Sequence, residues 1–585
     1  MPMTNCGQWL RKPKNMPSPS HRGQCALNPL VAASLLACLC TAHGQTQTQT
    51  PPDAGALLRE SRQQAVPPPA LPQVQAPRLL RDTGVKVRVQ RFEITGASRI
   101  DNAALQSRLA DLVGQELGFA QMQAAADRIA ALYRERGLHA TALLPEQTLA
   151  DGVLRIVLVE GRLGKVRVES TVPASRRVPQ ALAERMLRQG QTAGEIIDTQ
   201  ALERATLLAN ELPGLRVSVL LAAGTAPGET DIIAKIDPRP LLTGAVLLDN
   251  HDARATGAAK AGVALSWASP LGLGDELQLA ATANTGKRYV RAVYGVPLGA
   301  TGLRAALNVS SMTYRLVGDF KASGGEGSAD TAGVSLLAPL LRSAERNLVL
   351  SAAYDRKHLQ NDSSAGPLSD KTDGSLTVGL SGDSTDALGG GGALVGSAQL
   401  TAGRLDLSGN AADLAADAAG LRHNGSFSKL NANLGRLQRL TSNGNLWLQL
   451  AGQVARKNLD SGQKFSLGGA SGVRAYPSLE GSGDNGWLAT VEYRHRLGDA
   501  LQLTAFYDHG EVTRERNPLP SSPAPNRYAL KGVGVGADWQ LSGGPLLRAV
   551  LASRIGNNPA AGPNGRDSDG TQRRPQVWLS ATLPF

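Results

Sequence analysis

Residues able to do chemistry are scattered through this chain. Its eight histidines are dispersed, and it contains no Walker A motif, no metal-spaced set of Cys and His, and no nucleophile elbow. Ser, His and Asp are all present, and a protease or lipase site could assemble from separate strands, but no spacing singles out a triad. The side chains that stand out do so by placement. In LQLTAFYDHG, Leu501, Leu503, Ala505 and Tyr507 share one parity, while Gln502, Thr504, Phe506, Asp508 and Gly510 share the other. A strand sends alternate side chains to opposite faces. If lipid meets the apolar face, Asp508 points into an enclosed bore, where a carboxylate needs a cation. Arg474, within FSLGGASGVRAYP (Phe465 to Pro477), could supply it. Guanidinium and carboxylate pair bidentately, which fixes geometry as well as adding energy. On these residues alone, Arg474 reads more simply as a solvated loop arginine and Asp508 as an ordinary lumen carboxylate.

The element that would hold Asp508 is one strand of a membrane barrel. The chain ends PQVWLSATLPF, with Val577, Leu579, Ala581, Leu583 and the terminal Phe585 on one parity. Such a face suits a strand that greases the outside of an outer-membrane β-barrel, and Phe585 reads as a C-terminal barrel signal. Helical periodicity disappears over residues 238–585, which break into alternating runs separated by Gly, Asp, Asn and Ser. Leu446, Leu448 and Leu450 alternate with Trp447, Gln449 and Ala451, and Trp487, Ala489, Val491 and Tyr493 with Leu488, Thr490, Glu492 and Arg494. At roughly 20 residues per strand and connection, about 16 antiparallel strands fit. A soluble β-sandwich alternates locally too, but needs neither so many strands nor an export signal.

The chain has 585 residues and a formal charge of +12. The basic residues are scattered, without a lysine-rich block or aromatic interleaving, so a nucleic-acid partner is not expected. Aromatics make up only 4 % of the residues, which thins the girdles usual in such barrels. Residues 1–44 read as a signal peptide: Arg11, Lys12, Lys14 and Arg22 precede an apolar run from Ala26 to Cys40 and small residues up to Gly44. Met16 is an alternative start, and Leu35-Leu36-Ala37-Cys38 also resembles a lipoprotein processing site. All four cysteines lie in this leader, so no disulfide is expected in the mature chain. Residues 45–84 combine a short helix, Asp53 to Gln64 with Asp53 as N-cap, and a proline-rich linker, VPPPALPQVQAPRLL. Residues 85–163 then run strand, helix, helix, strand, strand, with VKVRVQRFEI as one strand, DNAALQSRLADLVG as the first helix, and Val153, Ile156 and Leu158 as a half-buried run. Residues 164–237 repeat that order, which makes two tandem α+β modules.

These residues resemble a known family. YRERGLHATALLPEQTLADGVLRIVLVEGRLGKV, with Pro145-Glu146-Gln147 and Glu160-Gly161, is similar to the end of a first POTRA module. LERATLLANELPGLRVSVLLAAGTAPGETDI, with Leu212-Pro213-Gly214, is similar to that of a second. LLDNHDARATG with SPLGLGDEL resembles a first barrel hairpin. FSLGGASGVRAYP resembles a long loop that folds back into the barrel, whose core is Val-Arg-Gly-Tyr. Together they identify the chain as similar to two-partner secretion outer-membrane transporters of the haemolysin-activator and filamentous-haemagglutinin-transporter type, in the POTRA-barrel superfamily. The resemblance implies an infolded loop near 465–485, with Val473, Arg474, Ala475 and Tyr476 as its motif, Phe465, Gly468 and Gly469 as its support, and Phe506, Asp508 and Gly510 as its lumen partner. Ala475 departs from the family's glycine, so either the loop turns differently or that position needs no special conformation.

The expected function is a pore and not an enzyme, without catalytic residues, metal or cofactor. The resemblance implies a large exoprotein as cargo, recognised unfolded through its N-terminal secretion domain. It also implies an outer-membrane location with the modules in the periplasm, contact with membrane lipid, and delivery to the barrel assembly machinery through the C-terminal strand. An assembly factor that inserts other barrels shares the modules and the loop; a passive porin would have no use for the modules.

Overall fold

The computed structural model describes residues 51–63, 86–145, 147, 151–173, 178–226, 228–523, 525–562 and 564–585. The predicted signal peptide with its cysteines, the proline-rich linker, Val85 and Glu146 lie outside the described residues.

The two modules share one topology. In the first, Arg91–Thr95 runs parallel to Val153–Glu160, which pairs antiparallel with Ala140–Leu143. In the second, Arg162–Ser170 runs parallel to Glu229–Pro238, which pairs antiparallel with Leu215–Ala223. Each sheet packs against two helices, Asn102–Ser107 and Phe119–Glu135, then Gln180–Arg188 and Thr199–Asn210. Three local expectations change. The strand expected over VKVRVQRFEI breaks after Arg88: Lys86–Arg88 turns away to pair with Glu116–Gly118. The first helix stops at Ser107 and gives way to a 3-10 turn at Ala110–Leu112. In Val153–Glu160 the buried parity is Leu154, Ile156 and Leu158, with Val153 on the opposite face. The helical and strand periods compete over such short stretches, and the sheet's register decides.

Glu160 ends that strand as a buried carboxylate. It accepts from Ser98 N (2.7 Å), Arg99 N (3.0 Å), Tyr133 Oη (2.8 Å) and, at short range, Ser98 Oγ. Burial pushes its pKa up, but the donors outweigh burial and hold it below the ordinary glutamate range. Stability from such a group is present above its unfolded-state pKa and is lost as pH falls through the folded-state value. The protection factors of the Ala140–Leu143 and Val153–Glu160 amides, taken relative to the unstructured chain at the same pH, are therefore expected to fall below about pH 4 in the wild type. In Glu160→Gln the same amides should be less protected at neutral pH and should respond less to acid.

Past Pro238 the chain becomes a closed barrel of sixteen strands, from Leu242–Asp249 to Gln576–Pro584. Every neighbouring pair is antiparallel and consecutive in sequence apart from the closing pair, which joins the first strand to the last. That seam has five paired positions, from Ser580 opposite Asp249 to Pro584 opposite Ala245. Phe585 extends it, exchanging both backbone hydrogen bonds with Gly244 (2.9 and 3.0 Å). The apolar parity of the last strand faces outward, with Val577, Leu579, Leu583 and Phe585 all exposed. Closure satisfies the edges that an open sheet would present to lipid. Of the aromatics exposed on this outer wall, Trp267, Tyr493, Trp539 and Phe585 sit toward the end from which the modules hang. Among the described residues no helix is long and apolar enough to cross a membrane.

Candidate functional site

Two insertions occupy the bore. The first is residues 456–484, between strands Gly444–Ala455 and Asn485–Leu497, pinned into a ribbon where Phe465–Ser466 pairs with Ser482–Gly483. Its turn is held by Gly468 N to Glu480 O (2.8 Å), Gly469 N to Tyr476 O (3.1 Å) and Val473 N to Leu467 O (2.6 Å). Phe465, Leu467, Val473, Ala475 and Tyr476 pack with Leu488, Phe506 and Val512 of the barrel wall. Gly510 permits this approach: a Cβ there would lie 2.5 Å from Leu467 Cδ2.

At the centre, Arg474 donates from Nε (2.8 Å) and Nη2 (2.7 Å) to the two oxygens of Asp508, and from Nη1 to Glu492 (2.6 Å). Its backbone N also donates to Asp508 (3.1 Å), and its guanidinium lies 3.4 Å over the Phe506 ring. Thr490 Oγ1 donates to Asp508 (3.0 Å), and Arg494 Nη2 to Glu492 (2.6 Å). Arg474 and Arg494 thus face Asp508 and Glu492 as a neutral quartet. Asp508 is 0 % exposed, so its partners, not water, hold its charge. Glu492 and Thr490 were not singled out from sequence, although strand parity already put them on the inward face beside Asp508.

Ala475 is buried and its backbone is not left-handed; the non-glycine residue of this loop at positive φ is Leu479 (67°). Room for the methyl comes from the wall the loop packs on, where a Cβ on Gly532, the residue paired with Asp508, would lie 2.6 Å from that of Ala475. Gly532→Ala is expected to overpack this contact by about 1–3 kcal/mol and to weaken loop docking. Adding Ala475→Gly should restore it, measured as protease protection of the loop; no rescue would put the strain elsewhere.

Further partners lie on segments that sequence reasoning left unassigned. Arg554 pairs with Asp567 (Nη1 to Oδ1, 2.9 Å), donates to Ala475 O (3.2 Å) and lies 4.5 Å over the Tyr476 ring. Glu480 accepts from Asn558 Nδ2 (2.9 Å) and Ser568 N (2.8 Å), so the last outer loop folds down onto the infolded one. The infolded loop also grips both sides of the seam. Trp578 Nε1 donates to Arg474 O (2.8 Å), and Ser478 Oγ to His251 O (2.5 Å).

The second insertion is the helix Ala54–Gln63, N-capped by Asp53, whose Oδ1 accepts from Ala56 N (2.9 Å). It lies in the lumen, with Ala54, Leu57 and Leu58 buried against Tyr289, Met312, Tyr314 and Leu359. Glu60 meets Lys287 (3.0 Å), which also meets Asp252 (3.0 Å); Lys371 bridges Asp53 (3.2 Å) and Asp460 (2.5 Å). Arg59 donates to the carbonyls of Ser461 (2.7 Å) and Lys464 (2.8 Å), at the root of the infolded loop.

This architecture can be set beside known proteins. The family model described as haemolysin secretion/activation protein ShlB/FhaC/HecB matches residues 228–538, more than half of the chain. The chain belongs to this family. A ShlB-type POTRA domain matches residues 87–161. The heme/hemopexin transporter protein HuxB of Haemophilus influenzae strain 86-028NP is 26 % identical over 554 residues, covering 91 % of this chain and 95 % of HuxB. The outer membrane transporter CdiB of Escherichia coli strain 536 is 29 % identical over 188 residues, 32 % of this chain and 31 % of that one. In fold, the chain is similar to CdiB from Escherichia coli, with a TM-score of 0.62 at 20 % identity over 96 % of this chain and all of the other. It is more distantly similar to BamA from Haemophilus ducreyi lacking POTRA domains 1-3 (TM-score 0.52, 16 % identity, 85 % of this chain and 100 % of that one). The family member described here is an outer-membrane transporter of the two-partner secretion type, with its POTRA modules in the periplasm.

Proposed function

We propose that this transporter exports one large exoprotein, captured unfolded by its N-terminal secretion domain, and that the infolded loop with Arg474 holds the barrel competent for transport. The observation that carries this reading is the position of Ala54–Gln63. That helix precedes both modules in sequence yet sits inside the barrel, so the bore accommodates polypeptide. The second module supports capture. Its strand Leu215–Ala223 is an edge of the sheet and carries the exposed Leu220 and Leu221. The Asn210 side chain occupies the start of that edge, bonding Val217 N (2.9 Å) and Val217 O (2.6 Å), which leaves residues 219–223 for an incoming strand. The module is tied to the barrel mouth where Glu211 meets Arg342 (2.6 Å) and Arg204 donates to Pro339 O (2.7 Å).

The cargo belongs to the class of large haemolysin- or haemagglutinin-like exoproteins, and its folding outside the cell biases the direction of transport. Contact with outer-membrane lipid and recognition of the Phe585 strand by the barrel assembly machinery complete the set of partners. Deleting the gene and assaying the medium tests the reading: the exoprotein encoded beside it should vanish from the medium and persist in the periplasm. Its undiminished appearance outside would refute the proposal.

A further inference from the structure

The two insertions touch one wall of the bore toward its outer end, where Lys371 meets Asp53 and Asp460, Gln463 Nε2 donates to Asp373 (2.5 Å) and Lys429 Nζ donates to Gln463 O (2.8 Å), and they leave the middle of that wall bare. The helix Ala54–Gln63 covers the strands that carry Tyr289, Met312, Ala329 and Leu359. The infolded loop covers those that carry Leu488, Phe506, Leu530 and Ala552. Between them lie four strands, Gly366–Asp386, Gly392–Asp406, Gly425–Arg439 and Gly444–Ala455, facing a cavity of about 730 Å³. The inward parity here is defined by its opposite, since Leu376, Val378, Leu400, Leu430, Leu434, Leu448 and Leu450 all face outward and exposed.

Inward, across the middle of this wall, every side chain is neutral. Thr377 stands opposite Thr401 and Ser381 opposite Ser397. Gln399 stands opposite Asn431 and Ser397 opposite Asn433, which in turn receives Gln449 Nε2 (3.3 Å). Charge returns only outside this band: the Lys357–Asp373 pair (3.1 Å) and Lys429 on one side, Asp383 on the other. Gln399 and Asn433 are exposed to the cavity.

Amides and hydroxyls both donate and accept, so they can exchange hydrogen bonds with the backbone of an extended chain whatever its side chains. Each such bond exchanges for one with water and is weak in net terms, so a chain held this way can also leave. A pore must bind its cargo enough to admit it and too weakly to trap it. We propose that this neutral wall is the track along which extended polypeptide crosses the barrel, with Gln399, Asn431 and Asn433 as its central contacts. This rests on the secretion reading above and adds to it where in the bore the cargo runs.

The test is single-channel recording from the full barrel and modules with residues 54–63 deleted. The probe is a 30-residue unstructured peptide of Ser, Asn and Gly with no net charge, added from the module side. Interruptions of the current by the peptide are expected in the parent protein. Gln399→Ala with Asn431→Ala and Asn433→Ala should shorten their dwell time by at least about fivefold. Asn308→Ala with Gln278→Ala, inward-facing positions on another wall, should leave it unchanged. Equal shortening by both sets, or by neither, would overturn the track while leaving secretion intact. Failure of the peptide to enter the parent pore at all would instead count against polypeptide transport. Heat-modifiable migration of each variant checks that its barrel has closed.

Discussion

Arg474→Ala is expected to reduce secretion at least about tenfold while the barrel still inserts and closes. The substitution removes one cation from the quartet and leaves Asp508, with no exposure to water, holding its charge on Thr490 and the loop backbone alone. Breaking a buried ion pair by truncating one partner costs about 3–5 kcal/mol, mostly from the orphaned charge. Here that cost falls on loop docking, because the barrel wall beneath keeps its own strand pairing. Asp508→Ala should do the same from the other side. In a double-mutant cycle the two losses should fail to add by roughly 0.5–3 kcal/mol. Arg474→Lys should recover little: an ammonium cannot span both Asp508 oxygens and Glu492, nor stack flat over Phe506. Secretion is read as exoprotein in the medium, and loop docking as protease protection of residues 456–484. Full additivity would mean that the two side chains act separately.

Much of this was legible from parity alone. The inward face of Leu501–Thr513, the outward face of the last strand and the strand number all follow from period-two alternation, because one face must meet lipid and the other water. Parity also contained Thr490 and Glu492, but nothing local marked them as partners of a loop some twenty residues away. The pairing of Arg474 with Asp508 needed the family pattern, since a strand's face does not specify which of many loop arginines reaches it. Arg554, Asp567 and Glu480 were invisible for a different reason. Asp567 and Glu480 sit in irregular segments, where no period links residue type to direction; Arg554 ends strand Leu546–Arg554, but its partner Asp567 lies 13 residues on in such a segment, and the Glu480 contact with Ser568 spans 88. Ala475 was read as a question about its own backbone. The answer lay in Gly532, whose missing side chain makes the room, and a packing relation between a loop and the strand beneath it leaves no trace in either segment alone. In the first module, strand Lys86–Arg88 and the shortened helix escaped because pairing with Glu116–Gly118 overrode local periodicity.

Removing residues 54–63 should raise the resting conductance of the pore, and single substitutions should do so in proportion to the burial of the contact they break. Glu60→Ala removes one of the two carboxylates on buried Lys287, which keeps Asp252 at 3.0 Å, so the loss is that of one charged hydrogen bond, about 1.5–3 kcal/mol. Every 1.4 kcal/mol is tenfold in an equilibrium, so the ratio of open to occupied pores should rise by about one to two orders of magnitude. Arg62→Ala breaks a 3.4 Å contact with Asp355 in which both side chains keep a quarter or more of their exposure. That contact is worth no more than about 1 kcal/mol, and the current should barely change. Raising the salt concentration should weaken the Arg62 contact first, since buried pairs are screened much less. The helix contacts the root of the infolded loop through Arg59, so opening by Glu60→Ala should also loosen residues 461–464 in hydrogen exchange while leaving the Arg474 quartet protected. A conductance that does not respond to the deletion would mean that the helix does not limit the pore, whatever its contacts at rest.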